Sequence, residues 1–449
     1  MGLFFIGILG FSCLSTTSIF NQQQNQALAQ QYIQTTKYRN MVIDLGNGLK
    51  TNARLNLPAI GDGPFPAVLL VPGSGPIDMN ETGGPVRIDK ETGSIIYPSA
   101  RPFFDIAQYL SERGFAVLQY DKRGIGANFT ILDSNVWGNT TVNDLENDAE
   151  KALEVLIQQP EVDANHVTLV GHSEGTMIVP RVAIDNPGKV DNLVLMGTLA
   201  LGFYEEAYYQ AVTLPILYAQ QVLDHNHNGF ISIQEALEDR VFYSIPINLT
   251  QALTQNITTA NGTAEQLNPQ YNINNDTFIS INDELKPRLI DQLRSASVVK
   301  QGEKCGLKPC PIWLKSQYSA IPNLDIISKV PFNTSILIMN GKNDSQTPIQ
   351  RAYLLQQKLS EVRHPDHILI TYPDLGHLFY PSSQWMTGIG PIQQYVLADI
   401  YAWLEAHSGL SRSSVTTTST IGANTSSLIQ ISLLLEVPRD SYRTTTTNK

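Results

Sequence analysis

The strongest constraint on the fold of this chain is one short stretch where a buried-strand signal turns directly into a helical one. His166 to Val170 (HVTLV) is an apolar strand-like run, Gly171-His172-Ser173-Glu174-Gly175 follows it, and Thr176 to Ala183 is helix-compatible. Glycines on either side of the Ser permit a sharp strand-to-helix turn, which leaves the Ser173 hydroxyl exposed at the carboxyl end of a sheet. The helix that begins there favours negative charge at its N-terminus.

The rest of the chain supplies that sheet. After a strand-like entry at Met41 to Leu45 and Ala53 to Leu57, short Val/Ile/Leu runs occur at Ala67 to Val71, Ala116 to Tyr120, His166 to Val170, Leu193 to Met196, Ser335 to Met339 and Ile368 to Tyr372. Helical stretches lie between them, among them Phe103 to Arg113, Val142 to Gln158 and Ile349 to Val362. Such alternation predicts an α/β fold with a mainly parallel sheet covered on both faces. It breaks between Gly197 and Pro331, where Asn, Gln and Thr predominate, so 199–331 is expected to be an inserted lid. The core is then split into 40–198 and 332–408, and 409–449 is a Ser/Thr-rich tail. A chain of 449 residues accommodates one core plus such modules.

Composition narrows the partners and the compartment. A formal charge of −11 with no Lys/Arg-rich run argues against nucleic acid. The apolar run Leu3 to Leu14, with an Ala27-Leu28-Ala29 cleavage pattern, reads as a signal peptide over 1–29, so the protein is expected outside the cell. If cleavage fails, Leu3 to Phe20 is just long enough to act as an N-terminal membrane anchor. Cys13 leaves with the signal, and the remaining pair, Cys305 and Cys310, suits a disulfide in an oxidising compartment. Sequons such as Asn80, Asn128 and Asn139 fit export.

Three motifs in order, Val71-Pro72-Gly73-Ser74-Gly75-Pro76, Asp121-Lys122-Arg123-Gly124-Ile125-Gly126 and Gly171 to Gly175, make the chain resemble the α/β-hydrolase superfamily, in particular its carboxylesterase-like branch. The resemblance covers roughly 42–408 outside the insertion. It implies Ser173 as nucleophile, an acid after the next-to-last strand and a histidine after the last. Asn340-Gly341-Lys342-Asn343-Asp344 and Asp374-Leu375-Gly376-His377 occupy those places, preserving the order Ser, Asp, His. Asp344 is the preferred acid and Asp374 the reserve, whose simpler reading is an Asx-type turn. His172 sits inside the elbow, His225 and His227 lie in the insertion, and His364, His367 and His407 lack the strand-end setting of His377. The resemblance also implies an oxyanion hole from the backbone amides of Glu174 and Ser74, with Gly73 as a near alternative. Ile77 to Arg101 is expected either to wall the acyl pocket or to be a surface excursion, Asp121 to Gly126 to shape a turn behind the site, and Arg123 to have no catalytic role.

Within the insertion, Asp224-His225-Asn226-His227-Asn228-Gly229-Phe230-Ile231-Ser232-Ile233-Gln234-Glu235 matches the EF-hand pattern at each defined position. A hard cation such as Ca²⁺ needs six or seven oxygens, which Asp224, Asn226, Asn228, the Phe230 carbonyl, Ser232 through water and bidentate Glu235 can offer. With two ligating carboxylates the loop is expected to bind weakly, at about 10⁻⁴ to 10⁻³ M, as a structural element of the lid. Asn272 to Asp283 repeats the theme in degenerate form, with Thr277 at the turn glycine and Asp283 at the last position; it is expected to pair its strand with the first loop.

The expectation is a secreted serine hydrolase that cleaves a small acyl ester through an acyl-enzyme, needs no cofactor for catalysis and carries a calcium-stabilised lid. Two alternatives stay open. A serine peptidase, aminopeptidase-like, would use Glu205, Glu206 or Asp239 to hold a substrate amine; a calcium-dependent binding protein would have an inert hydrolase core.

Overall fold

Strand-forming runs buried on both sides organise the molecule, which is described from a computed structural model covering residues 35–83, 87–88, 95–96, 100–238, 252–259, 262–296, 310–385 and 388–409. The expected signal segment, Cys305, Asp239 and the tail from 410 onward lie outside these residues. Eight strands form the central sheet: β1 (Thr36–Gly46), β2 (Leu49–Pro58), β3 (Phe65–Val71), β4 (Ala116–Tyr120), β5 (Val162–His172), β6 (Asn192–Met196), β7 (Ser335–Gly341) and β8 (His367–Tyr372). Their order across the sheet is β1-β2-β4-β3-β5-β6-β7-β8. β1 and β2 form an antiparallel hairpin and β2 runs antiparallel to β4. From β4 onward every neighbouring pair is parallel. The hairpin turns at Asn47 and Gly48, whose φ values of 52° and 79° are the left-handed pair a tight two-residue turn requires.

Alternation along each strand explains the apolar runs. In β3, Ala67, Leu69 and Val71 join the apolar cluster on one face, while Val68 and Leu70 join the cluster on the other. Because both faces are covered, neither parity can be polar. Helix α1 (Pro102–Ser111) packs on one face; α2 (Val142–Ile157) and α3 (Gly175–Asp185) pack on the other. α2 starts at a reciprocal cap in which Thr141 and Asp144 satisfy each other's backbone N–H.

The insertion departs after β6 and returns before β7. It begins with α4 (Phe203–Tyr208) and includes α5 (Pro311–Ser319), and a separate apolar cluster that includes Val212, Leu223, Ile231, Ile279 and Leu289 holds its middle. The core resumes with α6 (Gln350–Glu361), on the same face as α2 and α3, and α7 (Gln394–His407), beside α1. No helix of the described residues is long and apolar enough to cross a membrane.

Candidate active site

The carboxyl ends of β5 to β8 are stitched together beyond the strands themselves. Ser173 N–H donates to Met196 O at 2.9 Å, Gly197 N–H donates to Met339 O at 2.9 Å, and Lys342 N–H donates to Tyr372 O at 2.8 Å. Asn343 N–H then reaches Leu375 O at 3.0 Å. This continued ladder draws the elbow, the loop after β7 and the loop after β8 onto one ridge. Gly341 allows this close approach: a β-carbon there would lie 2.1 Å from Leu375 O.

Ser173 sits on the turn with φ of 52°, a left-handed conformation that a non-glycine residue rarely adopts. The glycines around it have no room for side chains. A β-carbon on Gly175 would lie 2.1 Å from Val71 O, and one on Gly171 would lie 2.4 Å from Gly175 O. Strain of this kind is stored where surrounding structure over-determines the backbone. It leaves the serine at the N-terminal end of α3, beside the Gly73 loop, where a Gly73 β-carbon would lie 3.2 Å from Ser173 Cβ.

His377 and Asp344 meet in the interior, 3% and 4% exposed. His377 Nδ1 lies 2.9 Å from Asp344 Oδ2 and 3.1 Å from Oδ1. Asp344 also accepts from Gln346 N–H, Thr347 N–H and the Thr347 hydroxyl at 2.8, 2.9 and 2.7 Å. Burial would push the Asp344 carboxyl up, but His377 and these donors more than offset it and hold it below the usual carboxylate range. An ionised Asp344 only accepts, so Nδ1 carries the imidazole proton and Nε2 is left as the basic nitrogen. The ring faces the β6 end: a β-carbon on Gly197 would lie 3.1 Å from His377 Cε1. Among the described residues no hydrogen bond joins Ser173 Oγ to His377; in ligand-free hydrolases such a link is often long and tightens in the substrate complex. The reserve acid Asp374 is exposed and turned away into a loop where its carbonyl accepts from Ser382 N–H.

The two loop amides expected to face developing charge differ from their neighbour. Gly73 N–H is taken by the Glu81 carboxylate at 2.6 Å, so Gly73 does not serve as the alternative donor. Ser74 and Glu174 amides donate to nothing among the described hydrogen bonds outside regular elements. Of the stretch 77–101, the described beginning braces the site from behind: Glu81 reaches Gly73 and His172, and Asp78 bonds Thr82 and Asn128. Arg123 shapes its turn by clamping Asp144 and Asp148 on α2.

Sequence reasoning missed the side chain of Glu174. It is buried completely and receives Lys122 Nζ at 2.5 Å, Trp313 Nε1–H at 2.7 Å and the Gln317 amide. Trp313 and Gln317 belong to α5, so the insertion is bolted to the elbow through the residue that follows Ser173. A charged residue at the start of an otherwise apolar buried helix was the signal that could have found it.

In the insertion, strand 230–232 pairs antiparallel with 278–280, Ile231 opposite Ile279, which joins the two loops as expected. Asp224 accepts from Gly229 N–H at 2.8 Å and Asn228 N–H at 3.0 Å. Glu235 accepts from Asn226 at 3.1 Å and from the Ser232 hydroxyl at 2.8 Å. The loop therefore gathers oxygens of the hard kind that Ca²⁺ takes, though only two of its side chains are carboxylates. Among the described residues no cluster of three or more His, Cys, Asp or Glu suits a metal. In the second loop the reach belongs to Glu284 and not to Asp283. A π-helical turn over Ile281–Leu285 carries the chain one residue further, and the Glu284 carboxylate accepts from Ile273, Asn274 and Ser280 N–H groups. Ser280 caps that turn, its hydroxyl accepting from Asp283 N–H and donating to the Asp283 carboxylate. Cys310 is disulfide-bonded.

A stretch of 151 residues, 33% of this chain, is 36% identical to Esterase EstD of Thermotoga maritima, and it spans only 30% of that relative's length. Among solved structures, Est1E from Butyrivibrio proteoclasticus is similar at 13% identity, with 82% of this chain and 98% of that one covered and a TM-score of 0.40. The proline iminopeptidase of Mycobacterium smegmatis is similar at 12% identity over 82% and 99% of the two chains, with a TM-score of 0.45. The model of the family described as alpha/beta hydrolase fold matches residues 66–383, most of the chain, and the chain belongs to that family.

Proposed function

We propose that the chain is a serine hydrolase that cleaves a small carboxylic ester through an acyl-enzyme. The observation that carries this reading is the buried Asp344–His377 pair, held by the strand-end ladder on the ridge where the strained Ser173 stands. His377 Nε2 takes the proton of Ser173 as its oxygen attacks the carbonyl carbon, and Asp344 holds the tautomer and stabilises the imidazolium. The tetrahedral oxyanion is received by the amides of Glu174 and Ser74, each such donor lowering the barrier by about 3 to 4 kcal/mol. His377 then protonates the leaving alcohol, and water attacks the acyl group by the same route in reverse.

The ester class draws on the stretch shared with Esterase EstD. A peptidase would need a free acidic group for the substrate amine; Glu206 is buried and committed to Arg351, while Glu205 is exposed. Small acyl esters, aminoacyl amides and a fluorophosphonate probe, applied side by side, test the assignment. Ester turnover with probe on Ser173, both lost in Ser173→Ala, is expected. Preference for amides would replace the reading by a peptidase, and an unlabelled Ser173 in folded protein would leave a binding protein.

The same reading gives the insertion a structural calcium at Asp224, Asn226, Asn228, Phe230 O, Ser232 and Glu235, supported by the oxygen set and the paired loops. Export is supported by the disulfide at Cys310. Calcium at about ten times its Kd should add about 1.4 kcal/mol to the stability of the insertion. Calorimetry with and without chelator checks this, and equal binding by Glu235→Gln would refute the site.

A further inference from the structure

His172, the elbow residue before Ser173, occupies the interior beside the proposed triad. It is 5% exposed, as is Glu81, and its ring centroid lies 4.7 Å from that of His377. His172 Nδ1 is 3.1 Å from Glu81 Oε1 and 3.0 Å from Oε2, but only Oε1 is aligned for a hydrogen bond, and Oε2 is left without one. His172 Nε2 is 3.0 Å from the backbone carbonyl of His377. Glu81 in turn accepts Gly73 N–H at 2.6 Å and is held at φ of 50°, a second strained non-glycine residue at this site.

We infer that Glu81 and His172 form a charged positioning pair, a buried carboxylate and imidazolium that tie the Gly73–Ser74 loop to the backbone of His377. The protonation follows from counting donors. A carbonyl oxygen accepts only, and an ionised carboxylate accepts only, so a ring bonded to both must carry a proton on each nitrogen. The close Gly73 N–H on Oε1 favours the ionised carboxylate and places the second proton on the ring. Burial alone would push the His172 imidazole down; the charge and hydrogen bond of Glu81, the His377 carbonyl and the more distant Asp344 charge leave it raised above its ordinary value. The titratable groups facing it are Glu81 from the segment after β3, His377 from the loop after β8 and Asp344 from the loop after β7.

The pair spans the two parts of the site that must keep register, the oxyanion loop and the base. A raised value in the folded protein means that both links are present below it. One is lost as pH rises through it, when the ring can donate to either Glu81 or His377 O but not to both. The pair acts through His377 and Ser74 and touches no reacting atom.

This inference rests on the hydrolase reading of Ser173 and His377, so its test has an arm that needs no turnover. In the full chain labelled with ¹⁵N-histidine, the His172 ring, assigned by its loss in His172→Gln, should show both nitrogens protonated at neutral pH. In Glu81→Gln, which keeps an acceptor for Gly73 N–H but removes the charge, the ring should become neutral. The same variant should lose about ten- to a hundredfold in kcat with KM changed less than about threefold, since small misplacements of reacting groups cost that much. Its loss of activity on the alkaline side should begin at lower pH than in the unaltered protein. A singly protonated His172 ring in the unaltered protein overturns the inference whether or not the variant folds. So does a Glu81→Gln enzyme with unchanged kcat and pH profile. Failure to hydrolyse any ester would refute the esterase reading and leave the ring spectrum to decide the pair.

Discussion

Removing the Glu174 side chain while keeping its backbone isolates what the buried anchor contributes. In Glu174→Ala, Lys122, 2% exposed, loses its counter-charge, and the Trp313 and Gln317 donors lose their acceptor. An uncompensated buried charge costs about 3 to 5 kcal/mol. Each orphaned neutral donor would add roughly 1 to 3 kcal/mol only where the cavity admits no water, so the lost counter-charge alone, about 4 kcal/mol, is the conservative figure. At roughly 2.1 cal/mol/K per residue this lowers the melting temperature of a unit this size by about 5 °C. Lys122→Met combined with Glu174→Ala removes both charges and should be markedly less damaging than the two single changes added together, because a buried pair is worth little against apolar packing. Scanning calorimetry of the four proteins, with fluorophosphonate labelling as the readout of the elbow, tests the cycle. A melting temperature for Glu174→Ala within 1 °C of the unaltered protein, or strict additivity in the double variant, would refute the claim that this carboxylate bolts α5 to the elbow.

The strain at Ser173 predicts that Ser173→Gly is inactive yet more stable by about 1 kcal/mol, measured by chemical denaturation, since glycine adopts φ of 52° without cost. Gly341→Ala should abolish probe labelling or folding, because its β-carbon would stand 2.1 Å from Leu375 O, whereas Gly188→Ala, with nothing within 4 Å, should cost only the backbone strain of its φ of 81°; labelling and melting curves separate the two. Burial raises Glu206 to about 7, with the nearby Arg351 opposing the shift. The folded state then holds a proton that the unfolded state has released, so stability should fall as pH rises from about 4.5 to 7. Denaturation midpoints across that range should show this slope, reduced in Glu206→Gln; an unchanged slope would remove Glu206 as its source.

The strands, the elbow and the order Ser173, Asp344, His377 were legible along the chain because each depends on neighbours a few residues away. Burial on both faces writes continuous apolar runs into β3 and the end of β5, and a strand-to-helix turn writes its glycines at 171 and 175. The paired Asn-rich loops were legible for the same reason, since Ile231 and Ile279 sit in matching local patterns. What the tertiary structure alone decided concerns which distant groups meet. Asp344 and not Asp374 faces His377 because the ladder from Lys342 to Tyr372 and from Asn343 to Leu375 draws the β7 loop across, while Asp374 turns outward. Gly73 is excluded as an oxyanion donor by Glu81, eight residues on, but nothing local says that this carboxylate folds back or that it also meets His172, ninety-one residues away. Glu174 meets Lys122 and Trp313 across separations of 52 and 139 residues. In the second loop Glu284 makes the backbone bonds, within a π turn whose Ile281 and Leu285 pack into the insertion's core. Polar groups carry no periodic signature of their partners. Burial forces each to find one, and only the folded arrangement of apolar surfaces determines which is within reach.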